Sequence, residues 1–134
     1  MAESNISLRN VTKKDYRFLY SLNNHPSIRA VSNSTDEFSY DTHVSYWDKF
    51  EKSPECNAKI IIMDKIRVGC IRSCSSGISL SILPIFWGLG IGKNAIMMFA
   101  KKGDKAQIKP ENMMSLFAFK SAGFKVHRIV MVKE

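Results

Sequence analysis

"PIFWGLGIGKNAI", residues 84–96, runs from a proline through Gly88, Gly90 and Gly92 at alternate positions to Lys93 and an apolar stretch. Glycines placed this way ahead of a helix let the backbone come close to a pyrophosphate. The amides of Gly88 to Lys93 would turn toward it, and the helix dipole adds about half an elementary charge. Two familiar phosphate loops are excluded. A P-loop has four residues between its first glycine and the Gly-Lys pair, then Ser or Thr; here three residues separate Gly88 from Gly92, and Asn94 follows Lys93. A dinucleotide fingerprint reads G-x-G-x-x-G at the start of a βαβ unit, whereas this loop reads G-x-G-x-G-K after a run of strands. Two readings stay open, a pyrophosphate cradle of another kind and a turn that needs only positive φ angles.

Upstream, "AKIIIMD", "RVGCIRS" and "GISLSILP" follow one another across the short connections Asp64-Lys65 and "CSSG", which predicts an antiparallel meander closed by Pro84. Downstream come a helix through "KNAIMMFAKK" that stops at Gly103 and a short strand "AQIK". Pro110 precedes a helix over 111–122 with Gly123 as its C′ residue, and a final strand or strand pair "FKVHRIVMVK" closes the chain. At the other end, "ISLRNV" alternates like a half-buried strand. Thr12 and Asp15 then open a helix with Tyr16, Leu19, Tyr20 and Asn23 at helical spacing, which stops near "NNHP" because the residue before Pro26 is pushed out of the helical region. A polar loop, "SNSTDEFS", leads to a helix over 40–52, N-capped by Ser39, with Val44, Trp47 and Phe50 on one face. Trp47, Phe50, Met97, Met98, Met113 and Met114 read as core by their helical spacing. The chain shows no repeat, linker or low-complexity tract.

A chain of 134 residues is expected to form one domain, 1–134, burying roughly two thirds of its unfolded surface. Its 45% apolar and 24% charged residues fit a globular protein. The net charge of +8 implies attraction to something anionic, but lysines are scattered, with only short pairs such as Lys13-Lys14 and Lys101-Lys102. A solvated basic surface fits this better than a nucleic-acid tail. The first ten residues lack an apolar signal region and no apolar run spans a bilayer, so a cytoplasmic protein without a membrane partner is expected. Cys56, Cys70 and Cys74 include no C-x-x-C pair. They are expected to be reduced and buried, with no disulfide and no zinc site.

Paired with "PENMMSLFAFKSAGF", residues 110–124, the opening stretch resembles the two signature segments of the GNAT superfamily of N-acetyltransferases. These are a Q/R-x-x-G-x-G/A loop after strand four and an N-x-x-S-x-x-x-Y-x-x-x-G-F helix and turn. Trp87, Gly90 and Gly92 take the loop positions, and Asn112, Ser115, Phe119, Gly123 and Phe124 those of the second segment. The N-terminal stretch "ISLRNVTKKDYRFLYSLNNHPSIR" is similar to the branch that acylates nucleotide-linked amino sugars, through Leu8, Arg9, Asp15, Leu19, Pro26 and Arg29. The resemblance implies an α/β (α+β) GNAT fold, a mixed, largely antiparallel sheet of about six to seven strands flanked by about four helices. It also implies acetyl-CoA, or another acyl-CoA, as cofactor. The reaction would be direct attack of a small-molecule amine on the thioester, with positioning and proton handling supplied by the enzyme. Short chains of this fold are often homodimers.

Carried over residue by residue, the resemblance places the pantetheine arm on the backbone of Ser81, Ile82 and Leu83. The pyrophosphate falls on the loop formed by Trp87, Gly88, Leu89, Gly90, Ile91, Gly92 and Lys93. Asn112 and Phe119 would lie beside the cofactor. Trp87 and Leu89 stand where the family carries polar or basic residues, which predicts weaker cofactor binding. Phe119 replaces the tyrosine that protonates the departing thiolate, and "GISLSILP" offers no carboxylate as base. For the acceptor, His25, Arg29, Glu37 and Asp41 are the candidates. His43 is the candidate base, since an imidazole pKa near 6.5 suits taking a proton from an ammonium. A peptide N-acetyltransferase is the enzymatic alternative. A degenerate fold that binds CoA or a partner without catalysis is the alternative from another class.

Overall fold

The computed structural model of the chain describes residues 5–32 and 35–134. Asn33 and Ser34, in the middle of the expected polar loop, lie outside the described residues. Strand β1 (Ile6–Asn10) is followed by a 3-10 turn (Lys13–Asp15) and helices α1 (Tyr16–Asn23), α2 (Pro26–Arg29) and α3 (Tyr40–Lys52). Strands β2 (Asn57–Met63), β3 (Ile66–Cys74) and β4 (Gly77–Ile82) come next, and then a 3-10 turn (Pro84–Phe86), α4 (Ile91–Phe99) and α5 (Met113–Ser121).

The four strands pair in the order β1-β2-β3-β4, each antiparallel to its neighbour. This is the meander that the close spacing of apolar runs predicts, preceded by β1. Asp64 and Lys65 both adopt left-handed φ, 50° and 71°, so β2 and β3 join through a two-residue turn of the primed kind. Register shifts at Ile61/Ile62, where Ile61 faces Gly69 and Ile62 faces Arg67, leaving Val68 as a bulge.

Alternation along the strands divides the core between two faces. Ile60 and Cys70 pack with Tyr16, Leu19, Leu22, Trp47 and Phe50 of α1 and α3. Ile61, Ile71, Leu80 and Ile82 pack with Ile91, Ala95, Ile96, Ala118 and Phe119 of α4 and α5. Gly92 permits the second packing. A Cβ there would sit 3.0 Å from Ala118 Cβ and 3.1 Å from Leu80 Cδ2, so only a hydrogen lets α4 lie this close to both.

Arg9 and Asp15 tie β1 to the first helices. The guanidinium donates to Asp15 Oδ2 and Oδ1 at 2.8 and 2.7 Å, Thr12 N–H to Oδ2 at 2.9 Å, and Arg67 Nη1 to Oδ1 at 3.3 Å. Burial alone would raise the pKa of this fully covered carboxylate. The Arg9 hydrogen bonds, the Thr12 amide, the Arg9 charge and the Arg67 hydrogen bond outweigh it and bring the value down to about 2.

Several expectations are corrected. The sheet has four strands, not six to seven. "AQIK" contributes a single parallel bridge, Ala106 to Ile78, and residues 124–134 form no strand. A strand exists only through its partner. The segment after Ala106 diverges from β4, so nothing is left for the last segment to pair with, and Val126, Ile129, Val130, Met131 and Val132 stay 64–89% exposed. The described residues hold five α-helices, because Pro26 opens the single turn α2 at N1, a position proline tolerates, where a loop was expected. α4 stops at Phe99, short of Gly103. Met97 and Met98 are exposed, since the buried stripe of α4 is Ile91, Ala95 and Ile96, and Met113 is exposed at the first position of α5, whose buried residues are Ser115, Ala118 and Phe119. Cys56 and Cys74 form a disulfide, with Cα atoms 4.3 Å apart, and Cys70 is the buried free thiol. Register explains the pairing: Asn57 faces Ser73, which puts Cys56 and Cys74 opposite one another at the open end of the ladder. No helix among the described residues is long and apolar enough to cross a membrane.

Candidate functional site

The outer edge of β4 decides which backbone groups are free. Leu83 N–H donates inward to Val68 O at 2.9 Å, and Ile78 N–H donates outward to Lys105 O at 2.7 Å. Main-chain groups in an antiparallel ladder alternate sides. Ser79, Ser81 and Leu83 therefore face β3, while Ile78, Leu80 and Ile82 face the open edge. Of the backbone set expected from the sequence, Ile82 is on that edge and Ser81 and Leu83 are not; Leu80 takes their place. The Ile82 carbonyl is already occupied, because Trp87 Nε1–H donates to it at 2.7 Å.

Beyond the Ile78–Ala106 bridge the two segments separate around a cavity of about 470 Å³. Ser79, Leu80 and Ser81 line one wall and Gln107, Ile108 and Lys109 another. Trp87, Asn112, Ser115 and Phe119 line it too, as do Arg29 of α2, His43 and Tyr46 of α3, and Asp36, Glu37 and Phe38 ahead of α3. This size suits a small ligand or the reacting end of a larger one.

After Trp87, which lines the cavity, the glycine loop enters α4. Gly88 and Gly90 have φ of 81° and 76°, with open space where a Cβ would be, and Gly90 is the N-cap in left-handed conformation. No side chain caps this helix, and its first internal bond is Asn94 N–H to Gly90 O at 3.2 Å. The N–H groups of Ile91, Gly92 and Lys93 thus have no partner among the described residues, which makes the start of α4 a set of parallel donors at the positive end of a dipole. Leu89 is exposed beside them, as is Lys93.

The remaining predicted residues divide. His43 is buried, 2% exposed, in a cage formed by Tyr16, Tyr20, Phe38, Tyr40 and Trp47. Its Nε2 lies 2.8 Å from the Tyr16 carbonyl, so in the neutral ring the proton is on Nε2 and the lone pair on Nδ1. Burial lowers its pKa; the Tyr16 carbonyl opposes this, and the charge of Arg72 adds to it. His43, Arg29 and Glu37 line the cavity; His25 and Asp41 do not. His25 is a helix cap, its Nδ1 accepting from Ser27 N–H at 3.2 Å, and Asp41 is exposed in the first turn of α3. Asn112 caps α5 through Oδ1, which accepts from Ser115 N–H at 3.3 Å. Phe119 is buried edge-on against Phe124, 5.0 Å between ring centres.

Arg72, Leu80, Tyr46 and Lys109 were not singled out by sequence reasoning. The alternation of β3, which puts Cys70, Arg72 and Cys74 on one face, was the available signal for Arg72. Nothing in composition marks it as facing a cavity.

No protein-family model and no curated protein matches the sequence. The likeness is in structure. A domain from Methanocaldococcus jannaschii superposes with a TM-score of 0.79 at 23% identity, covering 92% of this chain and 90% of that one. Spermidine N-acetyltransferase from Vibrio cholerae, in complex with CoA and spermine, gives 0.79 at 18% identity, covering 96% and 85%. Aminoglycoside acetyltransferase AAC(6')-Ib in complex with coenzyme A gives 0.73 at 16% identity, covering 90% and 84%. The chain has the GNAT fold of these N-acetyltransferases.

Proposed function

We propose that the chain is an acetyl-CoA-dependent N-acetyltransferase for a small-molecule amine, with a nucleotide-linked amino sugar as the acceptor that its N-terminal motif favours. The observation that carries this reading is the outer edge of β4, where the main-chain groups of Leu80 and the N–H of Ile82 have no partner among the described residues. It opens on a cavity that Arg29, Phe38 and His43 also line, and Trp87, on the cavity wall, leads in sequence into an uncapped, glycine-led helix start. Neighbours of the same fold that hold CoA, one with spermine, support it.

Leu80 N–H and C=O, with Ile82 N–H, would hold the amides of the pantetheine arm. The N–H groups of Ile91, Gly92 and Lys93 would hold the pyrophosphate, and the free amide nitrogen of Asn112 would reach the arm from the side. When bound, acetyl-CoA supplies a thioester carbonyl open to attack by an amine. The N–C bond forms as the C–S bond breaks, and the ammonium proton passes to a base. His43 would serve as that base, and burial, the largest influence on its ring, favours the neutral form. Phe119 has no proton to give, so the thiolate leaves as the anion, at modest cost for a group of its pKa. A CoA-binding fold without catalysis is the second reading, favoured by Trp87, whose indole occupies the Ile82 carbonyl.

Calorimetric titration with acetyl-CoA, CoA and ADP tests the reading. A dissociation constant on the order of 1 to 100 μM for both CoA species is expected. Absence of heat and of thermal stabilisation by either species would overturn it.

A further inference from the structure

Arg29, from α2, and Arg72, from β3, line the same end of the cavity. Neither has a carboxylate within ion-pairing distance among the described residues, where the salt bridges all converge on Asp15. Both guanidiniums are held by other means. Arg29 lies over the Phe38 ring at 5.0 Å and donates through Nη1 to the Asp36 carbonyl at 3.0 Å. Arg72 lies over Tyr46 and Trp47 at 5.4 and 5.8 Å.

Aromatic faces fix a guanidinium and leave its edge donors free. Here one donor is conspicuous: Arg29 Nε is buried with no hydrogen-bond partner. Burial lowers the pKa of Arg29 and the charge of Arg72 lowers it further, so the two cations feel each other. Asp36 and Glu37 also line the cavity, but both are exposed and neither forms an ion pair among the described residues. Two like charges held close in a half-buried cavity, with a donor unfilled, lack an anion.

We propose that Arg29 and Arg72 form an anion subsite in the acceptor end of the cavity, so that the amine acceptor is one carrying a phosphate or a carboxylate. The word acceptor rests on the transferase reading above; the anion subsite itself does not. A guanidinium pair matches either oxyanion with paired donors, and it repels a polyamine.

Calorimetry on the whole chain, with and without saturating CoA, tests this with matched probes: glucosamine 6-phosphate against glucosamine, γ-aminobutyrate against n-butylamine, and spermidine. The member of at least one pair that carries the phosphate or carboxylate binds at least about tenfold tighter than the amine that lacks it, and spermidine binds weakest. Preference in the first pair names a phosphate, in the second a carboxylate. Arg72→Gln and Arg29→Gln each remove most of the preference for the anion-bearing member of the pair. If either variant fails to fold, the wild-type preference must still shrink as salt rises from about 50 to 500 mM. Equal affinities in both pairs, or spermidine binding tightest, would overturn the subsite. CoA binding with no anion preference sinks this inference alone, whereas anion preference without CoA binding sinks the transferase reading alone.

Discussion

Trp87 reaches back five residues to place its indole nitrogen 2.7 Å from the Ile82 carbonyl oxygen, on the outer edge of β4. The same carbonyl is a natural acceptor for an extended ligand pairing with β4, so the indole and such a ligand compete.

Trp87→Phe removes the competing donor and keeps an aromatic ring. CoA is expected to bind about three- to tenfold tighter in the variant, the worth of one neutral hydrogen bond. Weaker binding would mean that the indole N–H serves the ligand and is not in its way.

Phe119→Tyr supplies a phenol on the cavity wall, where the transferase reading would place the departing thiolate. If proton donation limits the rate, turnover rises about tenfold or more with little change in KM for acetyl-CoA. An unchanged rate would show that the thiolate leaves unprotonated.

His43 has a lowered folded-state pKa, so the unfolded chain takes up this proton more readily than the folded one. Stability from this group is complete above about pH 6.5 and declines as pH falls below it. Urea midpoints of wild type should drop between pH 7.5 and 5.5, and those of His43→Gln should drop less. Equal slopes would place the titrating group elsewhere.

Asp15, with a folded pKa of about 2 against an ordinary 3.8, stabilises in a lower window. Its contribution, about 2 kcal/mol, is present above pH 4 and is lost as pH falls toward 2. Asp15→Asn should lower stability at pH 7 by about that amount and flatten the acid limb of the pH–stability curve. Measured stabilities at pH 7 and pH 3 check it.

The Cys56–Cys74 bond closes a short loop between neighbouring strands, so reduction should lower unfolding free energy by about 3 kcal/mol. Thiol titration of unreduced protein should find one reactive thiol, and only after denaturation. That thiol is Cys70, whose pKa is pushed up to about 12 by burial. Two or more thiols in the folded, unreduced chain would contradict the bond.

Local chemistry was enough for the parts of this protein whose partners lie close in the chain. Three closely spaced apolar runs made a meander, with Asp64-Lys65 as its tight turn. Ser39 capped α3 over 40–52, and the alternate glycines before Lys93 announced a helix start with bare amides. The paired motifs around Gly90 and Asn112 pointed to the GNAT fold. What tertiary structure alone decided depends on partners distant in sequence. Antiparallel register set Cys56 against Cys74, and the direction of the Leu83 and Ile78 bonds turned Leu80 outward and Ser81 inward. The divergence after Ala106 left "FKVHRIVMVK", a strand by composition, with no ladder to join. Arg72, one charge among many in the sequence, faces Arg29 only because β3 and α2 border the same cavity, and a cavity is a property of packing that no single segment contains.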